Sequence, residues 1–489
     1  MLQITIDNKI RFQVPPDAKK QWPEFMDQLH KDMVLRNPLH QDAVKYNRST
    51  RRIPFSIALW EFDRDTGVLN LPRGYAGQFL KLLKQHGIEY QVNDMRVTLL
   101  PVNFNSKIVL RNYQMPAVET LLKATQGILQ APAGSGKTQM GMEVIARLKQ
   151  PALWLTHTKD LARQAADRAA QVLGIPREEI GMLGAGQEKI GPRLTVGIVQ
   201  KMAQMDLSKI AGKFGTVLLD EAHHSPANSW SAIMNQLPAR YRYGVTATFE
   251  RADGLEVITE RVIGPTLYII DRSQVEVAGG IVVPELWIIK TACESIYWSR
   301  YEERAARYKK HGWHPLPAIP FGDILDEILK NPGRNRLIVD TLARECPGHC
   351  SLVLSERVSH CEELAAWLKS RRPDLRAEVI HGRLGKGKRQ EILAAMNAGE
   401  LDVLFAVDIA KEGLDIPRLD RLFLVAGGRN PAEVEQKVGR IQRPYPGKKE
   451  AVVFDFVDEK IGVLMAQHWA RRKVCRKLGI RVEKAAKNA

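Results

Sequence analysis

The sequence predicts an α/β protein in which two tandem units of parallel sheet, each covered by helices, follow a small mixed α+β unit. Three observations carry that expectation. Beyond Arg111, short apolar runs alternate with amphipathic helical stretches, the pattern of a parallel sheet wrapped by helices. The rhythm breaks between about residues 272 and 335 and then resumes as a second series. The first 105 residues follow neither rhythm and mix alternating strands with short helical segments. At roughly 150 residues per domain, a chain of 489 residues has room for about three units.

Taken in order, residues 1–105 hold the strand-like segments 4–14 and 53–62, a turn at 63–67 and a helical segment near 77–85. At their centre Lys45, Arg48, Arg51 and Arg52 cluster with no acid among them, which marks this accessory unit as an anion-binding one. Residues 106–271 contain the apolar runs 127–130, 152–156, 195–199 and 216–220. Residues 272–335, with Gly279, Gly280 and several prolines, read as a linker or insert. Within it Tyr297, Trp298, Tyr301, Tyr308 and Trp313 interleave with Arg300, Arg304, Arg307, Lys309 and Lys310. That mixture suits either stacking on exposed bases or an amphipathic helix with its aromatics toward a core. Residues 336–458 carry the second series of runs, at 351–354, 377–380, 403–407, 421–425 and 451–456. Residues 459–489 read as a basic helix and tail, with eight basic residues and one acid in 471–489.

Composition narrows the function. With 44% apolar and 26% charged residues the chain is globular, which excludes wholesale disorder, collagen repeats and a disulfide-stapled miniprotein. Lys and Arg outnumber Asp and Glu by 72 to 55, a net charge of +17, and the commonest partner for such an excess is nucleic acid. Of the five cysteines, Cys346 and Cys350 form one close pair with no second pair to complete a zinc site, so reduced thiols are expected. The N-terminus lacks the apolar core of a signal peptide, and no run approaches the ~18 residues of a membrane span. A soluble cytoplasmic protein with no membrane partner is the expectation.

Two motifs carry chemistry. Ala131 to Thr138, with Gly134, Ser135, Gly136, Lys137 and Thr138, follows an apolar run and opens a helix. Glycines let such a loop curl so that backbone N–H groups face phosphates, with the helix N-terminus adding its positive end. Lys137 is placed to reach the β- and γ-phosphates of a nucleotide and Thr138 to hold Mg²⁺. Ala131 stands where the strict pattern has glycine. The second motif is Asp220, Glu221, Ala222 and His223 at the end of an apolar strand. Asp220 suits an Mg²⁺ contact there, and Glu221 is placed to orient or deprotonate an attacking water.

With Thr246, Ala247 and Thr248 next in order, these motifs resemble those of superfamily 2 helicases and translocases. Tyr113 and Gln114 resemble the Q motif, residues 155–164 motif Ia, residues 196–200 motif Ib and residues 352–368 motif IV. Ile380, His381 and Gly382 begin the segment after motif IV, residues 412–417 resemble motif V, and residues 436–443 resemble motif VI. The run from Thr248 to Gly254 is similar to the TATP-x-R-x-D-G segment of XPB-type and UvsW-type DNA helicases, as are residues 69–74. Phe249 replaces the usual Pro in that segment, and Asp408 stands near motif V where many relatives have Thr.

The resemblance implies two RecA-like domains and an ATP-dependent DNA helicase or translocase, with branched-DNA unwinding or annealing as its leading detail. It assigns ATP and Mg²⁺ to Tyr113, Gln114, Gly134, Ser135, Gly136, Lys137, Thr138, Asp220, Gly413 and Asp415, with Glu221 as catalytic base. Arg440 and Arg443 resemble arginine fingers, so the site is shared between the two RecA-like domains and completed on closure. His223, Thr246, Thr248 and Gln436 fall to coupling. Thr156, Thr158, Gln164, Thr195, Gln200, Arg251 and His381 fall to DNA contacts that do not read sequence, and the accessory unit is expected to bind DNA as well. A monomer is expected. Two alternatives stay open. One is a double-strand translocase remodelling protein–DNA complexes in a defence or restriction assembly. The other is an RNA helicase, although the C-terminal domains of large DEAH RNA helicases are absent.

Overall fold

Apolar residues at alternate positions make a half-buried sheet, because successive side chains point to opposite faces. The computed structural model describes residues 1–45, 49–184, 186–221, 227–247, 256–407, 416–426 and 431–485. Strands β1 (Leu2–Ile6) and β2 (Lys9–Gln13) open the chain, and a two-stranded ribbon of β3 (Val34–Arg36) and β4 (Ser56–Ala58) follows. With β5 (Glu61–Asp63), β6 (Val68–Pro72) and β7 (Tyr90–Asp94), the first two strands form a sheet in the order β5-β6-β2-β1-β7. Ile4, Ile6, Ile10, Phe12, Leu69 and Leu71 pack against Phe25, Leu29, Phe79 and Leu83 of helices Pro23–Met33 and Ala76–Gln85.

This sheet shares one compact unit, Met1–Pro132 with Gly136–Gln274, with the first RecA-like sheet; Ala133–Ser135 and Val275–Ala489 make up the second unit. The larger sheet of the first unit comprises β8 (Gln126–Gln130), β9 (Ala152–Thr156), β10 (Gly181–Gly184), β11 (Gln187–Lys189), β12 (Leu194–Ile198), β13 (Thr216–Asp220), β14 (Tyr241–Thr246) and β15 (Thr266–Ile269). Their order is β11-β10-β12-β9-β13-β14-β8-β15, parallel except for the β10–β11 pair. Every residue of β9 and β12 is buried, the signature of strands covered by helices on both faces. Register carries Gln130 opposite Thr246 and Asp220 opposite Val245, so the carboxyl ends of β8, β13 and β14 lie together.

The second unit is a fully parallel sheet of β16 (Glu285–Thr291), β17 (Ser351–Ser355), β18 (Ala377–Ile380), β19 (Val403–Val407), β20 (Arg421–Leu424), β21 (Val452–Asp458) and β22 (Arg481–Ala485). The order β18-β19-β17-β20-β21-β16-β22 corrects two sequence expectations. Residues 272–335 are no mere linker, since β16 inserts between β21 and β22. Residues 459–489 are no mere tail either. Helix Gly462–Lys477 buries Leu464, His468, Arg471, Val474 and Cys475, and β22 extends the sheet. Asp455 anchors that helix, accepting from His468 Nδ1 at 2.8 Å and from Arg471 Nη2 at 2.8 Å. Burial alone would raise the Asp455 pKa, but Arg471 and His468 together hold it below the usual carboxylate range. Helix Ile296–Lys310 buries Ala305 and half-buries Trp298 and Tyr301, whereas Tyr297 and Trp313 are exposed. No helix among the described residues is long and apolar enough to cross a membrane, and the five cysteines are free and buried.

Two buried guanidinium groups fix the accessory sheet to the first RecA-like sheet. Arg73 donates to Gln126 Oε1 at 3.1 Å, Ala239 O at 2.5 Å and Asp7 O at 3.2 Å, while Gln126 Nε2 donates back to Arg73 O at 3.0 Å. Arg242 donates to Val262 O at 2.9 Å, Met234 O at 2.7 Å, Leu237 O at 3.0 Å and Asn8 O at 3.4 Å. Burial pushes both pKa values down, Arg242 to about 9. A buried cation is tolerable when carbonyl dipoles replace its water, so breaking these bonds is costly. Gly74 completes the contact, since a Cβ there would lie 2.5 Å from Glu260 O and 2.6 Å from Arg261 O. Gly74→Ala is therefore expected to destabilise the protein by about 1–3 kcal/mol, read by thermal or denaturant unfolding. Unchanged stability would show that the interface yields without cost.

Candidate functional site

Parallel sheets place ligands beyond the carboxyl ends of their strands. At that edge β8 runs through Ala131–Gly136 into helix Lys137–Leu148. Gly134 and Gly136 hold φ of +83° and +85°, a left-handed conformation that favours glycine, so the loop can turn its N–H groups to one side. Ser135 and Lys137 are buried, and Thr138 is half-buried in the first helical turn. The Lys137 ammonium donates to Ala131 O at 3.3 Å and lies 3.4 Å from Glu221 Oε1.

Asp220 ends β13, and Glu221 follows at φ +50°, a strained backbone for a side chain with a Cβ. His157 Nε2 meets Glu221 O at 2.8 Å and so braces that conformation. Burial is the main cause that raises the Asp220 pKa, and the neighbouring Glu221 charge adds to it; Lys137 offsets part. Two hard carboxylates beside the Lys137 ammonium are a donor set that fits a divalent cation. Gln114 is buried, its Oε1 accepts from Arg111 N at 2.9 Å, and a Cβ on Gly136 would lie 2.5 Å from Gln114 Nε2. Tyr113 is buried too, with its hydroxyl 3.4 Å from Arg111 Nη1. Residues far apart in sequence thus meet around the glycine-rich loop.

Other expected residues fare differently. Thr246 is buried at the end of β14, where its carbonyl accepts from Ala131 N at 2.9 Å. Two expected DNA contacts are corrected. Thr195 is wholly buried in β12 with its hydroxyl accepting from Gly191 N at 3.0 Å, and Thr156 is buried in β9 with its hydroxyl directed at Thr158 O. Both face the helix-covered sheet and cannot present a hydroxyl at the surface. Thr158 caps helix Lys159–Leu173 by accepting from Leu161 N at 3.2 Å. Gln164 is half-buried on that helix, and Gln200 is exposed on helix Val199–Met202. His223, Thr248, Arg251, Gly413 and Asp415 lie outside the described residues, as does the side chain of Gln436.

In the second unit, His381 is half-buried just after β18. Arg440 is half-buried on helix Pro431–Ile441, and Arg443 follows in the next turn, where burial pushes its pKa down. Lys448 was not singled out by the sequence. Its ammonium donates to Arg443 O at 2.9 Å and to Leu419 O, tying the turn that carries Arg443 to the segment before β20. Burial pushes its pKa down to about 8. In the run of Pro446, Gly447, Lys448 and Lys449 it resembles any solvent lysine, and nothing in sequence marks it. His157 is the other missed residue, lying inside motif Ia without a role of its own there.

The carboxylate pair yields a pH prediction. A carboxyl whose folded pKa is raised binds more protons when folded than when unfolded, so it lowers stability as pH rises above the ordinary range near 4. Asp220→Asn is therefore expected to raise the melting temperature of the ligand-free protein at pH 8, with the gain shrinking toward pH 4. A gain independent of pH would contradict the desolvated pair.

Comparison with known proteins agrees with this geometry. Residues 107–251 match the family model described as type III restriction enzyme, res subunit, and residues 333–444 match the helicase conserved C-terminal domain. The DNA 3'-5' translocase XPB2 of Sulfurisphaera tokodaii is 26% identical over 396 residues, covering 76% of this chain and 86% of that protein. The probable helicase D10 of Escherichia phage T5 is 26% identical over 406 residues, 82% of each. Among solved structures, Saccharomyces cerevisiae Dbp5 bound to RNA and ADP BeF3 aligns with a TM-score of 0.54 at 16% identity, over 77% of this chain and 89% of that one, a likeness of fold. Together the two family models span just over half of the chain, one on each RecA-like sheet, and the chain belongs to the superfamily 2 helicases.

Proposed function

We propose that this protein is an ATP-driven DNA helicase or translocase whose ATP site is built on the Lys137–Glu221 ion pair. The observation that carries the reading is that pair, 3.4 Å long, standing beside half-buried Asp220 behind a loop with two left-handed glycines. Backbone N–H groups of the loop and the helix N-terminus receive the phosphates. The phosphates compete with Glu221 for the Lys137 ammonium, so binding exchanges an internal ion pair for a ligand one. Glu221, released, accepts a proton as water attacks the γ-phosphorus. Bound Mg²⁺, for which Asp220 and Thr138 are the fitting residues, would neutralise phosphate charge. His157 keeps Glu221 in its strained backbone position, and Lys448 holds the turn that carries Arg443. Arg440 and Arg443 are assigned to charge on the transferring group, and Gln114 with Tyr113 to the adenine.

The net charge of +17 and a relative named as a DNA 3'-5' translocase support DNA as the track. Gln164, Gln200 and Thr158 remain as contacts to its phosphates, which position a strand without reading sequence.

The decisive measurement is ATP hydrolysis with single-stranded, duplex or forked DNA, or with RNA, as stimulant. DNA is expected to stimulate turnover; stimulation by RNA alone would replace the DNA assignment. Lys137→Ala is expected to abolish hydrolysis, and Glu221→Gln to retain ATP binding while slowing turnover about 10²–10⁴-fold. Lys448→Met is expected to lower kcat about tenfold with little change in KM for ATP, as loosening a positioned arginine should. Full activity in Lys137→Ala would sink the reading.

A further inference from the structure

The ribbon in the accessory domain has no part in the ATP site, yet it is built around an exposed aromatic ring. Between β3 and β4 the chain makes an excursion that begins with helix Pro38–Lys45. Its base is closed by one buried side chain. Asn37 Nδ2 donates to Pro54 O at 2.9 Å, Asn37 N donates to Phe55 O at 3.0 Å, and Asn37 Oδ1 accepts from Leu39 N at 3.1 Å. The same residue therefore starts the helix and clamps the returning strand. Leu35 and Leu59, on either side of this base, pack against the core of the first RecA-like sheet.

On this frame Phe55 is 65% exposed and Leu39 66% exposed, and the His40 ring packs edge-on to Phe55 with centroids 5.4 Å apart. A ring left in water on an ordered frame needs a reason, and the surrounding charge supplies one. Arg36, opposite Ser56 in the ribbon, is exposed, as are Arg51 and Arg52, and none of the three forms an ion pair among the described residues. Residues 34–58 contain five basic side chains against one acid, Asp42. An apolar protein partner would leave Arg36, Arg51 and Arg52 facing it uncompensated. A nucleic-acid strand answers both features, because its phosphates meet arginines while an unpaired base stacks on an aromatic face.

We infer that residues 34–45 and 49–58 form a junction wedge, in which Phe55, backed by His40 and accompanied by Arg36, Arg51 and Arg52, takes an unpaired base where single and double strands of DNA meet. The inference rests on the proposal that DNA is the track and adds which DNA structure the accessory domain selects. Because Arg73 and Arg242 hold this domain against the first RecA-like sheet, the wedge keeps a fixed place relative to the ATP-binding strands of that unit.

The test uses the full-length protein without ATP, comparing Kd for a forked duplex carrying 2-aminopurine at the junction with Kd for a linear duplex of equal length. The wild-type protein is expected to prefer the fork and to change the junction fluorescence. Phe55→Ala should lose about tenfold in fork affinity relative to duplex, the scale of one base–aromatic stack, and Phe55→Trp should retain the preference. Arg51→Gln with Arg52→Gln should weaken both substrates and flatten the salt dependence by about two phosphate contacts, ~0.9 in slope for each. An unchanged fork-to-duplex ratio in Phe55→Ala overturns the inference. So does loss of self-association, seen by sedimentation, in a variant whose ratio is unchanged, since the patch would then contact a second copy of the chain. Failure of DNA to stimulate wild-type ATPase is a failure of the motor reading instead, and the ATP-free Kd ratio still decides the wedge.

Discussion

Two carboxylates at the end of one buried strand set the terms for the first RecA-like sheet. β13 is apolar because helices cover both faces of its sheet, so it delivers Asp220 and Glu221, both half-buried, to the carboxyl edge of that sheet. Burial and the adjacent Glu221 charge make Asp220 resist ionisation, and the resting structure sets the ammonium of Lys137 beside the pair. The surrounding details follow from placing that ammonium. Glycine at 134 and 136 lets the loop turn tightly enough for Lys137 to begin a helix and still reach back to Ala131 O. The left-handed Glu221 needs His157 against its carbonyl, and Gln114 fills the space that a side chain at Gly136 would take.

A second constraint acts at the opposite end of the same sheet. Arg73 and Arg242 are cations with no carboxylate hydrogen-bond partner among the described residues, held by carbonyl oxygens from the accessory domain and from the segments around the first RecA-like sheet. Such bonds are directional, and several must break together before the domains can slide. The accessory domain is therefore a fixed extension of the first unit. Force generated by ATP turnover in that unit reaches it without a hinge, which suits a domain meant to hold or part a strand.

How much of this was legible follows from what each feature depends on. The two tandem sheets were readable because parallel strands buried on both faces are nearly continuous apolar runs, and 152–156, 216–220 and 403–407 are of that kind. The phosphate loop and the acid pair were readable because their chemistry demands particular residues at close spacing. β16 was missed because its apolar run sits among prolines and paired glycines that read as punctuation, and β22 because Arg481, Glu483 and Lys484 leave it almost no apolar pattern. Thr195 and Thr156 were misjudged because spacing along a strand does not say whether a hydroxyl faces a covering helix. Arg73 gave no sign of its role, since its partners stand 53 and 166 residues away and meet it only in the fold.

The net charge with which the chain advertises an anionic partner is a poor map of where that partner lies. Arg73, Arg242, Arg334 and Arg471 are all buried and hydrogen-bonded inside the protein, and Arg334 and Arg471 neutralise Asp458 and Asp455. These cations serve architecture, and removing them from the count leaves the phosphate grip to arginines and lysines that remain at the surface. A motor that tracks any sequence gains affinity from phosphates but cannot tell a fork from a duplex by them, because both present the same backbone charge. Discrimination needs a group that responds to an unstacked base. Phe55, exposed, packed edge-on to His40 and accompanied by arginines that form no ion pair among the described residues, is such a group, whereas the half-buried Trp298 and Tyr301 of the second unit are partly committed to packing. Exposure, rather than the sum of charges, separates the residues that hold the protein together from those left to hold DNA.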